Sequence, residues 1–222
     1  CIPITVNTSP TATLSGGGEY CENSGDNIDL SVELTGVSPW TLVYNDGTNP
    51  AVTVNNIMTS PHTLSVLTAG TYTLNSVMDA TDCDGIVSGQ ADVIENPLPT
   101  VELSGSGDIC AGSTETVDLS INLTGTPNWT VGWTVDGVLQ APLNNIDSSP
   151  FTLTIGENQA GDIELVSVVD GNGCENVGDG NVINIIVNDA PTVSDILTTC
   201  NITSTAYVVT FEISGGDAPN YL

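Results

Sequence analysis

The residues of this chain that could carry out chemistry are six cysteines, a single histidine and 27 carboxylates. A Ser-His-Asp or Cys-His mechanism needs an imidazole as its general base, so it would have to use His62. His62 is in phase with Leu64 and Val66, and it corresponds to Phe151 in the internal repeat described below. This position is typical of the rim of a core. The sequence therefore predicts no catalytic histidine.

With this many carboxylates, some pair will stand at the separation that glycoside hydrolysis needs. The acidic residues fall mostly at outward positions of predicted strands and in turns, which indicates a solvated acidic surface. We predict that the segment is not an enzyme, has no catalytic residues and takes no cofactor.

Each repeat has one acidic loop around its second cysteine. Ca²⁺ prefers oxygen ligands such as the carboxylates and amides of these loops. The first loop, DATDCDG, lacks the downstream Glu of an EF-hand, and Asp and Asn are also ordinary turn residues. The sequence therefore favours turns over a metal site, with calcium as the weaker alternative. The residues in question are Asp79, Asp82, Asp84, Asp170, Asn172, Glu175 and Asp179.

The cysteines are spaced as disulfide partners in an oxidising compartment and not as zinc ligands, because no Cys-x-x-Cys pair occurs. Two pairings are open. Bonds within repeats would join Cys21 to Cys83 and Cys110 to Cys174, whereas a bond between consecutive repeats would join Cys21 to Cys174. In an immunoglobulin topology Cys21 and Cys83 lie at opposite ends of a sandwich, which disfavours the first pairing. The remaining cysteines would then pair outside this segment.

Aromatic residues and glycosylation sequons are two further candidates for binding chemistry. Trp40 and Trp129 could stack on sugar rings, but they are in phase with inward residues and are predicted to pack in the core. Sequons matter only if the source organism glycosylates them. They begin at Asn7, Asn122, Asn128 and Asn201.

An internal repeat of about 90 residues contains all these candidates. TATLSGGGEYC (11–21) matches TVELSGSGDIC (100–110), NIDLSVELTG (27–36) matches TVDLSINLTG (116–125), and SVMDATDC (76–83) matches SVVDGNGC (167–174). The repeat predicts a last strand of a preceding copy at 1–9, complete copies at 10–98 and 99–190, and the start of a further copy at 191–222. We expect the segment to be an excerpt from a longer protein.

Each copy alternates apolar and polar residues with a period of two, and no segment has a helical pattern. About seven strands per copy, with a tryptophan on the third, are typical of an immunoglobulin-like β-sandwich. We predict an all-β chain of tandem sandwiches that short proline linkers hold in an elongated rod. The inward residues of the third copy should be Tyr207, Val209, Phe211 and Ile213.

The charge of the chain excludes several partners. The sequence contains no lysine or arginine, and its formal charge is −27. Nucleic acids and anionic membranes are bound largely through those cations, so neither is an expected partner. No apolar run is long enough to cross a bilayer, so we predict no membrane insertion in this segment.

The series LSG-x-G, DLS-x-x-LTG, PW or P-x-W, SP-x-TL and SV-x-D…C resembles the immunoglobulin-like and PKD-like repeats of giant Bacteroidota cell-surface adhesins. It is most similar to gliding-motility adhesins exported by type IX secretion, and YVVTFEISGGDAPNYL (207–222) resembles a sister repeat of that family.

The resemblance implies a stalk segment of a secreted, extracellular filament at the cell surface, serving attachment and gliding motility. It implies as partners the neighbouring repeats, the outer-membrane secretion and motility machinery, and external surfaces or polysaccharide. Two alternatives are a polysaccharide-binding repeat module and spacer domains of a large secreted hydrolase.

Overall fold

The structure, a computed structural model, describes residues 8–200 and 207–215, without the side chains of Cys200 and Tyr207. The chain divides into two compact units, residues 1–98 and 99–222, and each is considered by itself. The described residues form β-strands and one short 3-10 turn, Glu157–Gln159. The predicted all-β, immunoglobulin-like class is therefore confirmed. The strand predicted at 1–9 lies almost wholly outside the described residues.

The first unit is a sandwich of two sheets that share its last strand. Its strands are β1 (Thr11–Ser15), β2 (Gly18–Cys21), β3 (Ile28–Leu34), β4 (Trp40–Asn45), β5 (Val52–Ile57), β6 (His62–Val66), β7 (Gly70–Met78) and β8 (Ile86–Asn96). β3 pairs with β1 and β6 in one sheet, and β4 pairs with β5 and β7 in the other. The first part of β8 runs parallel to β1, and its second part pairs with β7 and with β2.

The second unit repeats this plan with a divided last strand. Its strands are β9 (Val101–Ser104), β10 (Asp108–Cys110), β11 (Thr116–Leu123), β12 (Trp129–Val135), β13 (Val138–Leu139), β14 (Leu143–Ile146), β15 (Phe151–Gly156), β16 (Gly161–Val169), β17 (Glu175–Val177) and β18 (Val182–Asn188). One sheet has the order β15-β11-β9, and the other has the order β10-β18-β16-β12. β17 pairs with β16, and β13 and β14 pair with β12.

Period-two alternation places one face of each strand in a core, as the sequence predicts. On β3 and β11 the alternate apolar side chains are buried, while the residues between them face outward. Trp40 and Trp129 are also buried, and their indole N–H groups donate to the carbonyl oxygens of Thr35 and Thr124, both at 2.9 Å. The two tryptophans are therefore core residues and not sugar platforms.

A hairpin of β19 (Thr192–Cys200) and β20 (Tyr207–Ser214) follows the second sandwich in the chain. Val209 and Phe211, which the sequence places inward, are each 53% exposed. Among the described residues the hairpin is a sheet of two strands with no further strand paired to it, which is too little structure to cover an apolar face. The inward prediction for these two residues is therefore wrong in this structure. Ile213 is half-buried, and the side chain of Tyr207 lies outside the described residues.

One polar side chain in the second core lacks a partner. Of the described side chains, the hydroxyl of Thr134 is the one buried polar group without a hydrogen bond. Asn45, at the corresponding position of the first unit, accepts hydrogen bonds from Gly47 N and the Thr73 hydroxyl. A buried hydroxyl with no hydrogen bond loses its interaction with water and gains nothing in return.

Thr134→Val is expected to raise the free energy of unfolding of the second unit by about 1 kcal/mol, because it removes this unpaired hydroxyl. Urea unfolding followed by tryptophan fluorescence measures the change. Thr130→Val is the control: the Thr130 hydroxyl donates to Asn144 at 3.3 Å, so its removal should bring no gain. A loss of stability in Thr134→Val would contradict the prediction.

Candidate functional site

A buried aspartate lies at the start of the loop that contains the second cysteine of each unit. Asp79 follows β7 and Asp170 follows β16, and only 4% and 5% of these residues are exposed. The Asp79 carboxylate accepts hydrogen bonds from Val37 N at 3.0 Å and from the N–H and hydroxyl of Thr81 at 2.9 and 2.6 Å. It therefore ties the loop after β7 to the loop after β3.

Asp170 makes the same connection in the second unit with a different set of donors. Its carboxylate accepts from Thr126 N at 3.1 Å and from Asn172 N and Cys174 N at 3.0 Å each. The loop that carries Cys174 is thus held by a side chain of the preceding strand end. The shared residues SV-x-D are explained by this role, which the sequence analysis did not recognise.

The glycine that ends each LTG sequence makes room for this carboxylate. Gly36 and Gly125 have φ angles of +102° and +94°. A Cβ atom at these positions would lie 2.8 Å from Asp79 Oδ2 and 2.9 Å from Asp170 Oδ2. Both the backbone conformation and the close approach require glycine here.

The acidic loops therefore use their buried carboxylates to bind backbone N–H groups. Among the described residues, no three His, Cys, Asp or Glu side chains come together in a group that could hold a metal ion. The hydrogen bond from the Thr81 side chain, followed by that from Val37 N, lowers the pKa of Asp79.

The two cysteine positions of each unit lie at opposite ends of its sandwich. In the first unit Cys21 ends β2, where Glu22 N donates to the carbonyl of Asn96 at the end of β8. Cys83 lies at the other end, where Ile86 N donates to the carbonyl of Pro10. A disulfide needs Cα atoms within about 7 Å of each other, so these two cysteines cannot pair within the unit.

The second unit has the same arrangement. Cys110 ends β10, where Ala111 N donates to the carbonyl of Asn188 at the end of β18. Cys174 lies at the opposite end, close to Asn176, whose side-chain amide donates to the carbonyl of Pro99 at 2.9 Å.

Cys21 and Cys174 are both disulfide-bonded. Cys21 is not paired with Cys83 in the described part of the chain, and the bond between Cys21 and Cys174 stays the predicted pairing. Cys83 is a free thiol in the described part of the chain, and its Sγ donates to the carbonyl of Thr81 at 3.8 Å. Cys110 is exposed. The side chains of Cys1 and Cys200 lie outside the described residues.

The other candidate residues lie apart from these loops. His62 is half-buried on β6 opposite Val32, at the rim of the core as predicted. The sequon residues Asn122 and Asn128 are exposed, whereas Asn7 and Asn201 fall outside the described residues. No helix in the described ranges has the length and apolar character to cross a membrane.

A third buried carboxylate, Asp46, lies in the sequence Asn45-Asp46-Gly47, whose residue types indicate only a turn. Asp46 accepts hydrogen bonds from Asn49 N at 2.7 Å, the Asn49 side-chain amide at 2.6 Å and Thr48 N at 3.0 Å. The hydrogen bonds from Asn49, with that from Thr48 N, hold the pKa of Asp46 far below its usual value. The Thr68 hydroxyl also reaches the carboxylate, at 3.3 Å.

Tyr72 lies beside Asp46 at the corner between β6 and β7. Its hydroxyl donates to the carbonyl of Thr68 at 2.8 Å, which is the tyrosine corner of immunoglobulin-like folds. No position in the sequence pattern marks this corner, because the second repeat has Ile163 where the first has Tyr72.

The lowered pKa values of Asp46 and Asp79 predict how the stability of the first unit depends on pH. Both carboxylates hold protons less tightly in the folded chain than in the unfolded chain. Their contribution to stability is therefore complete above the unfolded pKa of about 4 and is lost as the pH falls through the lower folded values. We expect thermal unfolding of the first unit to shift to lower temperature below pH 4.

The measurement is best made in about 1 M salt, where a Debye length near 3 Å suppresses repulsion among the many surface carboxylates. Asp46→Asn combined with Asp79→Asn provides the comparison, since amides do not titrate. The difference in unfolding temperature between the parent chain and this variant should shrink in acid. A difference that stays constant from pH 7 to pH 2 would refute the prediction.

Comparisons with known proteins support the immunoglobulin-like fold. Residues 11–93 match the family described as the Ig-like domain of nucleoporin POM152. The I-band fragment I67-I69 from titin is 14% identical, with a TM-score of 0.52, and an E-to-A variant of those three titin domains scores 0.50. Each match covers 95% of this chain and 75% of the titin chain. At this identity the likeness concerns the fold alone. No curated protein sequence matches the chain.

Proposed function

The chain is made of immunoglobulin-like domains, and from this premise we propose that it is a non-enzymatic stalk segment of a secreted cell-surface adhesin filament that serves attachment and gliding motility. The observation that carries the proposal is that an early strand and the last strand of each unit run in the same direction. β2 runs parallel to β8, and β10 runs parallel to β18. The chain therefore enters each sandwich at one end and leaves it at the other, as a serial spacer requires.

Several properties of the surface support a spacer over a binding module. The tryptophans that could have bound polysaccharide are buried in the two cores. With 27 acidic residues and no lysine or arginine, neighbouring filaments would repel one another and stay in solution. A disulfide is in keeping with an oxidising, extracellular location.

The proposed assignment to gliding adhesins rests on sequence motifs of this chain that resemble those of that family. The shared sequences LTG and SV-x-D supply Gly36 and Asp79 in the first unit and Gly125 and Asp170 in the second. Because these residues hold the loops of each sandwich together, the shared motifs concern the architecture of the repeat. The adhesive ligand and the motor-bound end of the filament would lie elsewhere in the protein.

Fab fragments raised against this chain, applied to living cells of the source organism, test the proposal. Labelled filaments that move along the cell, together with a loss of gliding at saturating Fab, are expected. Fab fragments against an unrelated surface protein of the same cells serve as the control. A static coat, or label found only in the medium, would contradict the motility assignment and favour a surface-layer protein or a hydrolase spacer.

A further inference from the structure

We infer that the first sandwich has a binding cavity for a primary ammonium group, formed where the end of β4 meets the corner between β6 and β7. The cavity measures 230 Å³, and its lining includes Tyr44, Asp46 and Asn49 together with Leu67, Thr68 and Tyr72. This volume accommodates an alkylammonium chain but is small for a typical drug-sized ligand. A binding site here goes beyond the spacer function and is independent of it.

The negative charge at this cavity has no counter-ion in the described structure. Asp46 is only 7% exposed, and each hydrogen bond that it accepts comes from a neutral donor on Thr48, Asn49 or Thr68. The chain contains no lysine or arginine that could neutralise this carboxylate. The one side chain of this sequence that could become a cation is that of His62, which is not among the lining residues. A cationic side chain that offsets the charge of Asp46 would therefore belong to another molecule.

Two aromatic rings, those of Tyr44 and Tyr72, belong to the lining of the cavity. The ring centroids of Tyr44 and Tyr72 are 6.1 Å apart, with an angle of 37° between the planes. The Tyr72 hydroxyl is used by Thr68, whereas the structure shows no hydrogen bond from the Tyr44 hydroxyl within the described residues. Tyrosine rings attract ammonium groups through their π faces, and a free phenol oxygen can accept an ammonium N–H.

The second sandwich indicates that the fold does not need this cavity. Trp133 and Ile163 occupy the positions of Tyr44 and Tyr72, and both side chains are buried in the core. Asp136 also follows its strand directly before a glycine, but its carboxylate accepts from Asp162 N at 2.9 Å. The aromatic pair and the buried carboxylate are therefore combined in the first unit, and the second unit supplies a matched control.

Titration of the ¹⁵N-labelled 222-residue chain with n-butylammonium, followed by NMR at constant ionic strength, tests the cavity. We expect saturable shifts confined to residues near Tyr44, Asp46 and Tyr72. 1-Butanol, which has the same shape and no charge, should bind at least tenfold more weakly. Equal binding of the two probes, or shifts that spread over the acidic surface without saturation, would overturn the inference.

Variants separate the cavity from general attraction to a polyanion. Asp46→Asn should weaken binding at least tenfold, and Tyr44→Leu should weaken it about fivefold while leaving the hydrogen bonds of Asp46 in place. Asp136→Asn should change nothing. If Asp46→Asn does not fold, Tyr44→Leu still decides the matter, since unchanged binding in that folded variant would refute an aromatic ammonium site.

Two sources of the ammonium group can then be compared. Spermidine represents a free polyamine, and the peptide acetyl-Ala-Lys-Ala-amide represents a lysine side chain on a partner protein. Tighter binding of the peptide than of n-butylammonium would identify a protein partner, and tighter binding of spermidine would identify a polyamine. Failure of both, with n-butylammonium also inactive, would overturn the site while leaving the spacer function untouched.

Discussion

Replacing Cys21 and Cys174 together with serine is expected to lengthen the fully stretched chain by about 500 Å. Both cysteines are disulfide-bonded, and the predicted bond between them closes a covalent ring that contains residues 21–174. Tension applied to the two ends of the chain passes through the bond between the sulfurs, so the polypeptide inside the ring is not pulled straight. Opening the ring releases about 150 residues, each of which contributes roughly 3.3–3.6 Å when extended.

Single-molecule stretching of the oxidised chain, held by handles at its two termini, measures this difference. The oxidised parent should reach its final length without any step that corresponds to the ring residues, and a reducing agent should restore the full extension. Cys83→Ser is the matched control, because that cysteine is a free thiol and its loss leaves the ring closed. An oxidised parent that extends as far as the double variant would show that the ring is not formed.

Replacing Asp170 with alanine is expected to lower the free energy of unfolding of the second unit by about 3 kcal/mol. The change removes the acceptor for three backbone N–H groups, on Thr126, Asn172 and Cys174. Each buried donor left without a partner costs about 1–3 kcal/mol, and water entering the loop offsets part of that cost. Because one of these N–H groups belongs to Cys174, the loop that carries the disulfide should also become more mobile.

Chemical unfolding of the second unit and amide hydrogen exchange in the loop measure the two effects. Asp147→Ala is the control, since Asp147 is exposed and substitutions at such positions usually stay within about 0.5 kcal/mol. Equal stability of the Asp170 and Asp147 variants would show that the buried carboxylate does not hold the loops together. Unchanged exchange at Cys174 would contradict the second part.

Much of the fold can be predicted from the sequence because a half-buried strand alternates apolar and polar residues along the chain. The alternation of Leu30 and Val32 with polar neighbours predicts a half-buried strand. The same alternation recurs in β11, which supports the prediction a second time. The position of Cys21 before the second long strand likewise predicts that it lies far from Cys83. These inferences depend on local spacing and on topology, both of which can be read along one chain.

The cavity beside Asp46 could not be predicted in the same way. Its walls come from the end of β4 and from the corner between β6 and β7, and only the folded unit brings these segments together. The repeat gave no help, because the second copy has Trp133 and Ile163 in place of the two tyrosines. Nor could alternation predict the exposure of Val209 and Phe211, since alternation identifies a face but not whether another sheet covers it.

The divided last strand of the second unit has a consequence for how tandem repeats avoid misfolding with one another. In the first unit the backbone of β1 pairs directly with β8, at Leu14 opposite Gly89. In the second unit Asp179 accepts from Leu103 N at 3.0 Å, and the side chain of Asn181 donates to the carbonyl of Leu103 at 2.8 Å.

Neighbouring domains with similar sequences can exchange strands during folding, and the exchanged forms compete with the native one. If β8 took the place of β17 and β18 in the second unit, the backbone of Leu103 would lose its hydrogen bonds to the side chains of Asp179 and Asn181 and would need other partners. If β17 and β18 took the place of β8 in the first unit, the carboxylate of Asp179 would lie against the backbone of β1. In the native unit the N–H and C=O groups of β1 pair there with β8. The first strand of the first unit is therefore paired by backbone groups of β8, whereas β9 in the second unit is hydrogen-bonded by side chains. Each last strand fits its own unit better than the adjacent one.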